Sequence, residues 1–304
     1  MLLTEEKRPR LIACALLALV ALRIYYGFID GSFRRPESAA FHPPGLLADE
    51  AAKRIGASWR TVETSSADGT RLRGWLFRPA LPNGKAVLLM HETGGTRLNV
   101  MTHVPWLLER GFICLAADGR GHGASDGQLV TAGLLEGNDV VSWTGLLHAE
   151  PGVRQVYGLG HSLGASALIP GLALGAAMQA AGADSTGADM PTRYNLLAER
   201  IGLPVGVVRP ALWLFFEPAL WNARLRYGVD LERISPLTDI SLLRAPVLLI
   251  HGTRDEMIPI GQARRMHAAN PGATELWEVA GAGHVQAAVL QPAEYRARVL
   301  AWFK

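Results

Sequence analysis

Residues 154–164 read RQVYGLGHSLG, and residues 163–174 continue as LGASALIPGLAL. A short apolar run that passes directly into longer apolar, helix-like sequence describes a buried strand followed at once by a helix. Between the two lies Gly160-His161-Ser162-Leu163-Gly164. A glycine two residues to either side of the serine suits a turn tight enough to strain the Ser162 backbone and expose its hydroxyl. Ser162 is therefore the candidate nucleophile.

The same alternation extends in both directions. AVLLMH (86–91), FICLAA (112–117), AAMQAAGADS (176–185), PVLLIHG (246–252) and TELWEV (274–279) are further short apolar runs. Helical stretches are expected between them over Leu98–Glu109, Thr131–His148, Leu163–Leu174, Gly261–Asn270 and Pro292–Phe303. Fully apolar strands separated by helices indicate a parallel sheet covered on both faces. Upstream, Trp59–Thr64 and Arg71–Phe77 flank the Asp68-Gly69 turn signal and read as a hairpin. The predicted class is thus α/β, with a mostly parallel central sheet and helices on both faces. From Ser185 to Pro236 the alternation stops, and large apolar side chains gather (Trp213, Leu214, Phe215, Phe216, Trp221). That segment reads as a short helical cap inserted in the sheet pattern.

A serine at such a turn needs a base and an acid from later strands, in the chain order serine, acid, histidine. Asp255 follows PVLLIHG, 93 residues after Ser162, and His284 follows TELWEV, 29 residues later. Glu256, beside Asp255, is the alternative acid. On these motifs, together with His91, Gly94-Gly95 and the run from Asp118 through Gly119, Arg120, Gly121, His122 and Gly123 to Ser125, the chain from about Thr61 onward resembles the α/β-hydrolase superfamily, and within it single-domain, esterase-like members that are often membrane-anchored.

The resemblance implies that His284 takes the proton of Ser162 as the hydroxyl attacks a carbonyl, that Asp255 holds the imidazole tautomer, and that an acyl-enzyme follows. It also implies an oxyanion hole made by the backbone N–H groups of Leu163 and Thr93. One position departs from the pattern. Where many relatives have His-Gly, this chain has His91-Glu92, a pair similar to that of dienelactone-hydrolase-like members, whose glutamate contacts a cysteine nucleophile. Glu92 is accordingly either a residue that tunes Ser162 or a structural replacement for a permissive glycine.

The implied activity is cleavage of a carboxylic ester with an apolar acyl substrate, Trp213 and Phe216 being candidate substrate-binding residues. The alternatives are a thioesterase or a peptidase or amidase using the same three residues, or a hydrolase-like scaffold that only binds. His91, His122 and His251 fall at strand ends, where imidazoles bonded to backbone are common. No His-x-x-x-His or Cys-x-x-Cys pair occurs, so neither a metal nor another cofactor is expected.

Composition excludes other classes. Of 304 residues, 49% are hydrophobic and 19% charged, which describes an ordered chain. The net charge is +3, and no block of five like charges is present to track a phosphate backbone, so nucleic acid is not an expected partner. Cys14 and Cys114 lie in apolar runs and read as inert thiols.

The first 35 residues form a separate unit. Leu11–Ile29 is apolar apart from Arg23, and as a helix it would span roughly 28 Å, enough to cross a bilayer. Arg23, Tyr25 and Tyr26 near its far end suit the interface. The segment reads as a single membrane anchor; a cleaved signal peptide, and hence a secreted protein, and a helix packed on the domain are the other readings. The flanking charges nearly balance and assign no orientation. The expected organisation is an anchor over 1–35, a linker over 36–58, and the hydrolase-like domain over 59–304 with its cap at about 185–236.

Overall fold

A computed structural model of the chain describes residues 46–53, 56–188, 206, 220–230 and 233–304. The apolar segment Leu11–Ile29 and the aromatic residues Trp213 and Phe216 lie outside the described residues. Among the described residues no helix is long and apolar enough to cross a membrane.

The expected strands all form, as β1 (Ser58–Ser65), β2 (Arg71–Arg78), β3 (Lys85–Met90), β4 (Ile113–Ala117), β5 (Gln155–His161), β6 (Ala180–Asp184), β7 (Val247–Gly252) and β8 (Thr274–Val279). They make one eight-stranded sheet in the order β1-β2-β4-β3-β5-β6-β7-β8. β1 and β2 are antiparallel, as are β2 and β4, and every other neighbouring pair is parallel.

Helices cover both faces. They are α1 (Leu46–Lys53), α2 (Val104–Leu108), α3 (Glu136–Ala149), α4 (Leu163–Ala173), α5 (Pro236–Leu242), α6 (Gly261–Ala269), α7 (Ala287–Leu290) and α8 (Pro292–Trp302). The alternation of strand side chains assigns the faces. Leu88 and Met90 of β3 pack with Trp143 and Leu147 of α3, Leu168 and Ile169 of α4 and Met266 of α6. Val87 and Leu89, their neighbours in sequence, pack on the other face with Ala48 of α1, Leu107 of α2 and Tyr295 and Val299 of α8.

Three expectations are corrected. The stretch read as one helix from Leu98 to Glu109 is a 3-10 turn over Arg97–His103 followed by α2, which has a proline in its first turn. Proline fixes φ and donates no N–H, so it starts a helix more readily than it continues one. The helix expected from Thr131 starts at Glu136, because the Glu136 carboxylate accepts hydrogen bonds from Thr131 N–H (2.7 Å), the Thr131 hydroxyl (2.7 Å) and Gly133 N–H (2.9 Å) and holds the preceding loop in a turn. Finally, the second half of the linker is α1, whose Ala48 and Ala52 are buried in the core.

The described end of the cap is helical over residues 220–227. Ala223, Val229 and Ile234 form a small apolar cluster with Leu129, Leu134 and Leu135 of the loop before α3. The sheet order reverses about β3. From β3 the chain passes to α2 on one face and from β5 to α4 on the other, which opens a crevice at the carboxyl ends of these two adjacent strands.

Candidate active site

Ser162 stands in that crevice. It joins β5 to α4 with φ 49° and ψ −107°, a conformation that L residues rarely adopt. The flanking glycines make the turn possible. A Cβ on Gly160 would come 2.5 Å from the Gly164 backbone, and one on Gly164 would come 2.4 Å from the Met90 carbonyl oxygen. The turn is anchored to its neighbours: Ser162 N–H donates to Asp184 C=O (2.8 Å) and Gly164 N–H to His91 C=O (3.1 Å).

His284 and Asp255 arrive from the loops after β8 and β7. Ser162 Oγ lies 2.9 Å from His284 Nε2, and His284 Nδ1 lies 2.7 Å from Asp255 Oδ2. The second Asp255 oxygen accepts from Met257 N–H (2.9 Å) and Ile258 N–H (2.8 Å). Burial would raise the Asp255 pKa, but these bonds and His284 outweigh it and leave it below the usual carboxylate value. An ionised Asp255 accepts from His284 Nδ1–H, which leaves Nε2 as the acceptor for the Ser162 hydroxyl proton. Glu256 is exposed, whereas Asp255 is buried against the imidazole.

Leu163 is the first residue of α4, where backbone N–H groups have no partner within the helix. Thr93 is exposed in the loop after β3. There Gly95 N–H donates to Glu92 C=O (3.1 Å) and Gly94 has φ 77°, so Glu92 to Gly95 form a turn that only a glycine adopts easily at that position.

Two buried histidines hold this loop against residues 118–125. Gly94 N–H donates to His122 Nε2 (3.0 Å), and His122 Nδ1 faces Arg120 C=O (2.8 Å). Gly119 N–H donates to His91 Nε2 (3.0 Å), and His91 Nδ1 faces Glu92 C=O (2.7 Å). Backbone N–H can only donate and C=O only accept, so each ring is neutral with its proton on Nδ1. Burial, and then His122, push the His91 pKa down to about 4, in accord with the neutral form. Within the same loop Asp118 is buried and accepts from Arg97 and Ala124.

Glu92 is tied to the neighbouring 3-10 turn. Its Oε1 accepts from Asn99 Nδ2 (2.5 Å) of that turn. His251 is buried, with Nε2 2.6 Å from Ile258 C=O on the loop that also carries Asp255.

Sequence reasoning gave no role to Asp184, which ends β6 beside the Ser162 turn. Burial pushes its carboxyl up to about 7, against the opposing effects of the Ser185 hydroxyl and His284. An Asp-Ser pair at the carboxyl end of the apolar strand next to the serine turn was the available signal.

A strained serine between strand and helix, paired with a histidine and an aspartate from later strands of a mostly parallel sheet, defines a hydrolase of the α/β class. Residues 87–298 match the Alpha/beta hydrolase family, and the chain belongs to it. It is 28% identical to the protein YqkD of Bacillus subtilis over 243 residues, 77% of this chain and 75% of that protein. It is 26% identical to YfhR of Escherichia coli K12 over 219 residues, 69% and 68% of the two chains. Among solved structures, the Pyrococcus furiosus esterase Pf2001 superposes with a TM-score of 0.66 at 25% identity, covering 86% of this chain and 97% of its own. A Mycobacterium tuberculosis puromycin-hydrolyzing peptidase shares the fold with a TM-score of 0.62 at 16% identity, covering 81% of this chain and 39% of that chain.

Proposed function

We propose that the protein is a serine hydrolase that cleaves a carboxylic ester through an acyl-enzyme. The observation that carries this reading is the relay from Ser162 Oγ through His284 (2.9 Å) to Asp255 (2.7 Å). Ser162 Oγ attacks the ester carbonyl while His284 Nε2 takes its proton, and Asp255 stabilises the imidazolium. The oxyanion is held by the backbone N–H groups of Leu163 and Thr93. The tetrahedral adduct then expels the alcohol, which takes the proton from His284. Water, deprotonated by the same nitrogen, attacks the acyl-enzyme; the bond to Ser162 Oγ breaks, the acid is released, and Oγ takes the proton back from His284 Nε2. Likeness to the Pyrococcus furiosus esterase supports the ester class. In this reading the apolar 1–35 segment tethers the enzyme to a membrane, and Trp213 and Phe216 bind an apolar acyl chain.

A fluorophosphonate probe tests the proposal. It should label the wild type and leave Ser162→Ala unlabelled, and a wild type that stays unlabelled would point to a binding scaffold. Parallel turnover of p-nitrophenyl ester, thioester and anilide substrates ranks the bond types, with the ester expected to be fastest.

A further inference from the structure

We infer that Asp184 and Ser185, the pair at the end of β6, are positioning residues that hold His284 at hydrogen-bonding distance from Ser162. The inference rests on the reading of His284 as the base.

The pair touches both sides of the relay. On the nucleophile side, Asp184 C=O accepts from Ser162 N–H (2.8 Å). On the base side, Ser185 Oγ accepts from Val285 N–H (3.0 Å), the amide of the peptide bond that leaves His284. Ser185 N–H is itself tied to Ile250 C=O of β7 (2.9 Å). One dipeptide thus links the strand that carries the serine turn to the loop that carries the histidine.

The direction of the bonds is determined. An amide N–H only donates, so Ser185 Oγ must accept from Val285, and its single proton goes to Asp184 Oδ1, 2.9 Å away. Asp184 is fully buried, and its Oδ2 makes no hydrogen bond of normal geometry with any described residue. Tyr295 of α8, His161 of β5, and Asp255 and His284 beyond β7 and β8 are the titratable groups around it. Burial, aided by the Asp255 charge, favours the uncharged carboxyl against the Ser185 hydroxyl, His284 and Tyr295, which favour the ionised form, and the carboxyl still offers Oδ1 to the Ser185 hydroxyl.

A need for this clamp is visible in the backbone. Val285 has φ 55° and Ser185 has φ 60°, and a β-branched residue does not hold the left-handed region through its own preference. Arg254 N–H donates to Ala282 C=O (2.9 Å) and Gly281 N–H to the Thr253 hydroxyl (2.9 Å) before the histidine, and Gly283 and Gln286 close a turn around it (Gly283 N–H to Gln286 Oε1, 3.1 Å; Gln286 N–H to Gly283 C=O, 3.3 Å), whereas the Ser185 hydroxyl ties the His284–Val285 peptide itself to β6. Loss of the Ser185 hydroxyl removes the one bond from β6 to the His284–Val285 peptide, which then relaxes within the Gly283–Gln286 turn toward negative φ and swings the imidazole away from Ser162.

The experiment follows the His284 Nδ1 proton by NMR, assigned through its loss in His284→Gln, together with the His284 titration and ester kinetics. Ser185→Ala should weaken or abolish the Nδ1 resonance and shift the titration. It should also lower kcat/KM by roughly 10–100-fold through kcat with little change in KM, the pattern of a displaced catalytic group. Asp184→Asn, which keeps an oxygen toward Ser185, should lose less than Asp184→Ala. An unchanged resonance and titration in Ser185→Ala, or equal losses in both Asp184 variants, overturns the inference. Should Ser185→Ala not fold, Ser185→Cys carries the same comparison. The resonance stands whether or not Ser162 is the nucleophile. Ser162→Ala at wild-type turnover would therefore sink the hydrolase reading alone.

Discussion

In the proposed mechanism Ser162, His284 and Asp255 act as one unit, so their removal should not be additive. Ser162→Ala and His284→Ala are each expected to lower kcat by several orders of magnitude with melting temperature nearly unchanged, because neither side chain fills the core. Asp255→Asn should cost about 10⁴ in kcat through the wrong imidazole tautomer. Glu256→Gln should stay near wild type, since that side chain is exposed; steady-state kinetics on the four variants checks the assignment. Glu92 belongs to the same scale. Because its carboxylate is bonded to Asn99, Glu92→Gln should leave the pH profile of kcat/KM unchanged, whereas a displaced limb would mean that the carboxylate reaches the relay in solution. At this scale the sequence was most legible where chain order carries meaning. Ser162, Asp255 and His284 could be read because each follows an apolar strand in the expected order. The Glu92–Asn99 bond could not, since a hydrogen bond across a loop leaves no periodic trace.

Among the elements, the strands were legible because five of them, β3 to β7, bury both faces and so read as apolar runs, whereas helix starts depended on side-chain contacts that periodicity does not encode. Glu136 and Pro105 moved two such starts. The end of β6 shows the limit most clearly, for Asp184 is a buried carboxyl in a position that looks like an ordinary strand terminus. Its pKa is raised in the folded state, so the stability it confers is present below the unfolded carboxylate value near 3.9 and is lost as pH rises through about 7. Asp184→Asn removes that dependence. Thermal melts between pH 4.5 and 8 should therefore show the wild type losing stability relative to Asp184→Asn as pH rises, and parallel curves would mean that Asp184 is ionised throughout. Asp255, whose pKa is lowered, works in the opposite sense: its contribution is present above the unfolded value and fades in acid.

For the whole molecule, the proposed catalytic residues and the sheet lie downstream of the apolar Leu11–Ile29 segment, so the proposed tether and turnover should separate. Deletion of residues 1–35 is expected to release the protein from the membrane fraction with kcat/KM on a short ester unchanged, and full-length protein found only in the soluble fraction would remove the anchor. The cap presents the sharper question. Its described end rests on the loop before α3, where Ala223, Val229 and Ile234 meet Leu134 and Leu135, and that loop adjoins α4, since a Cβ on Gly133 would come 2.4 Å from the Ser166 carbonyl. The described end of the cap thus sits near the helix that begins after Ser162, and we propose that the cap walls an acyl pocket there. If it does, each CH₂ of the acyl chain buried there gains up to about 0.8 kcal/mol, and kcat/KM for p-nitrophenyl esters should climb with chain length until the pocket is full. Trp213→Ala and Phe216→Ala should flatten the climb while acetate ester turnover stays within a few-fold, because the reacting groups are untouched. Equal losses for short and long esters, accompanied by a lower melting temperature, would instead make these aromatics part of the packing between cap and sheet, and the apolar-substrate reading would fall with them.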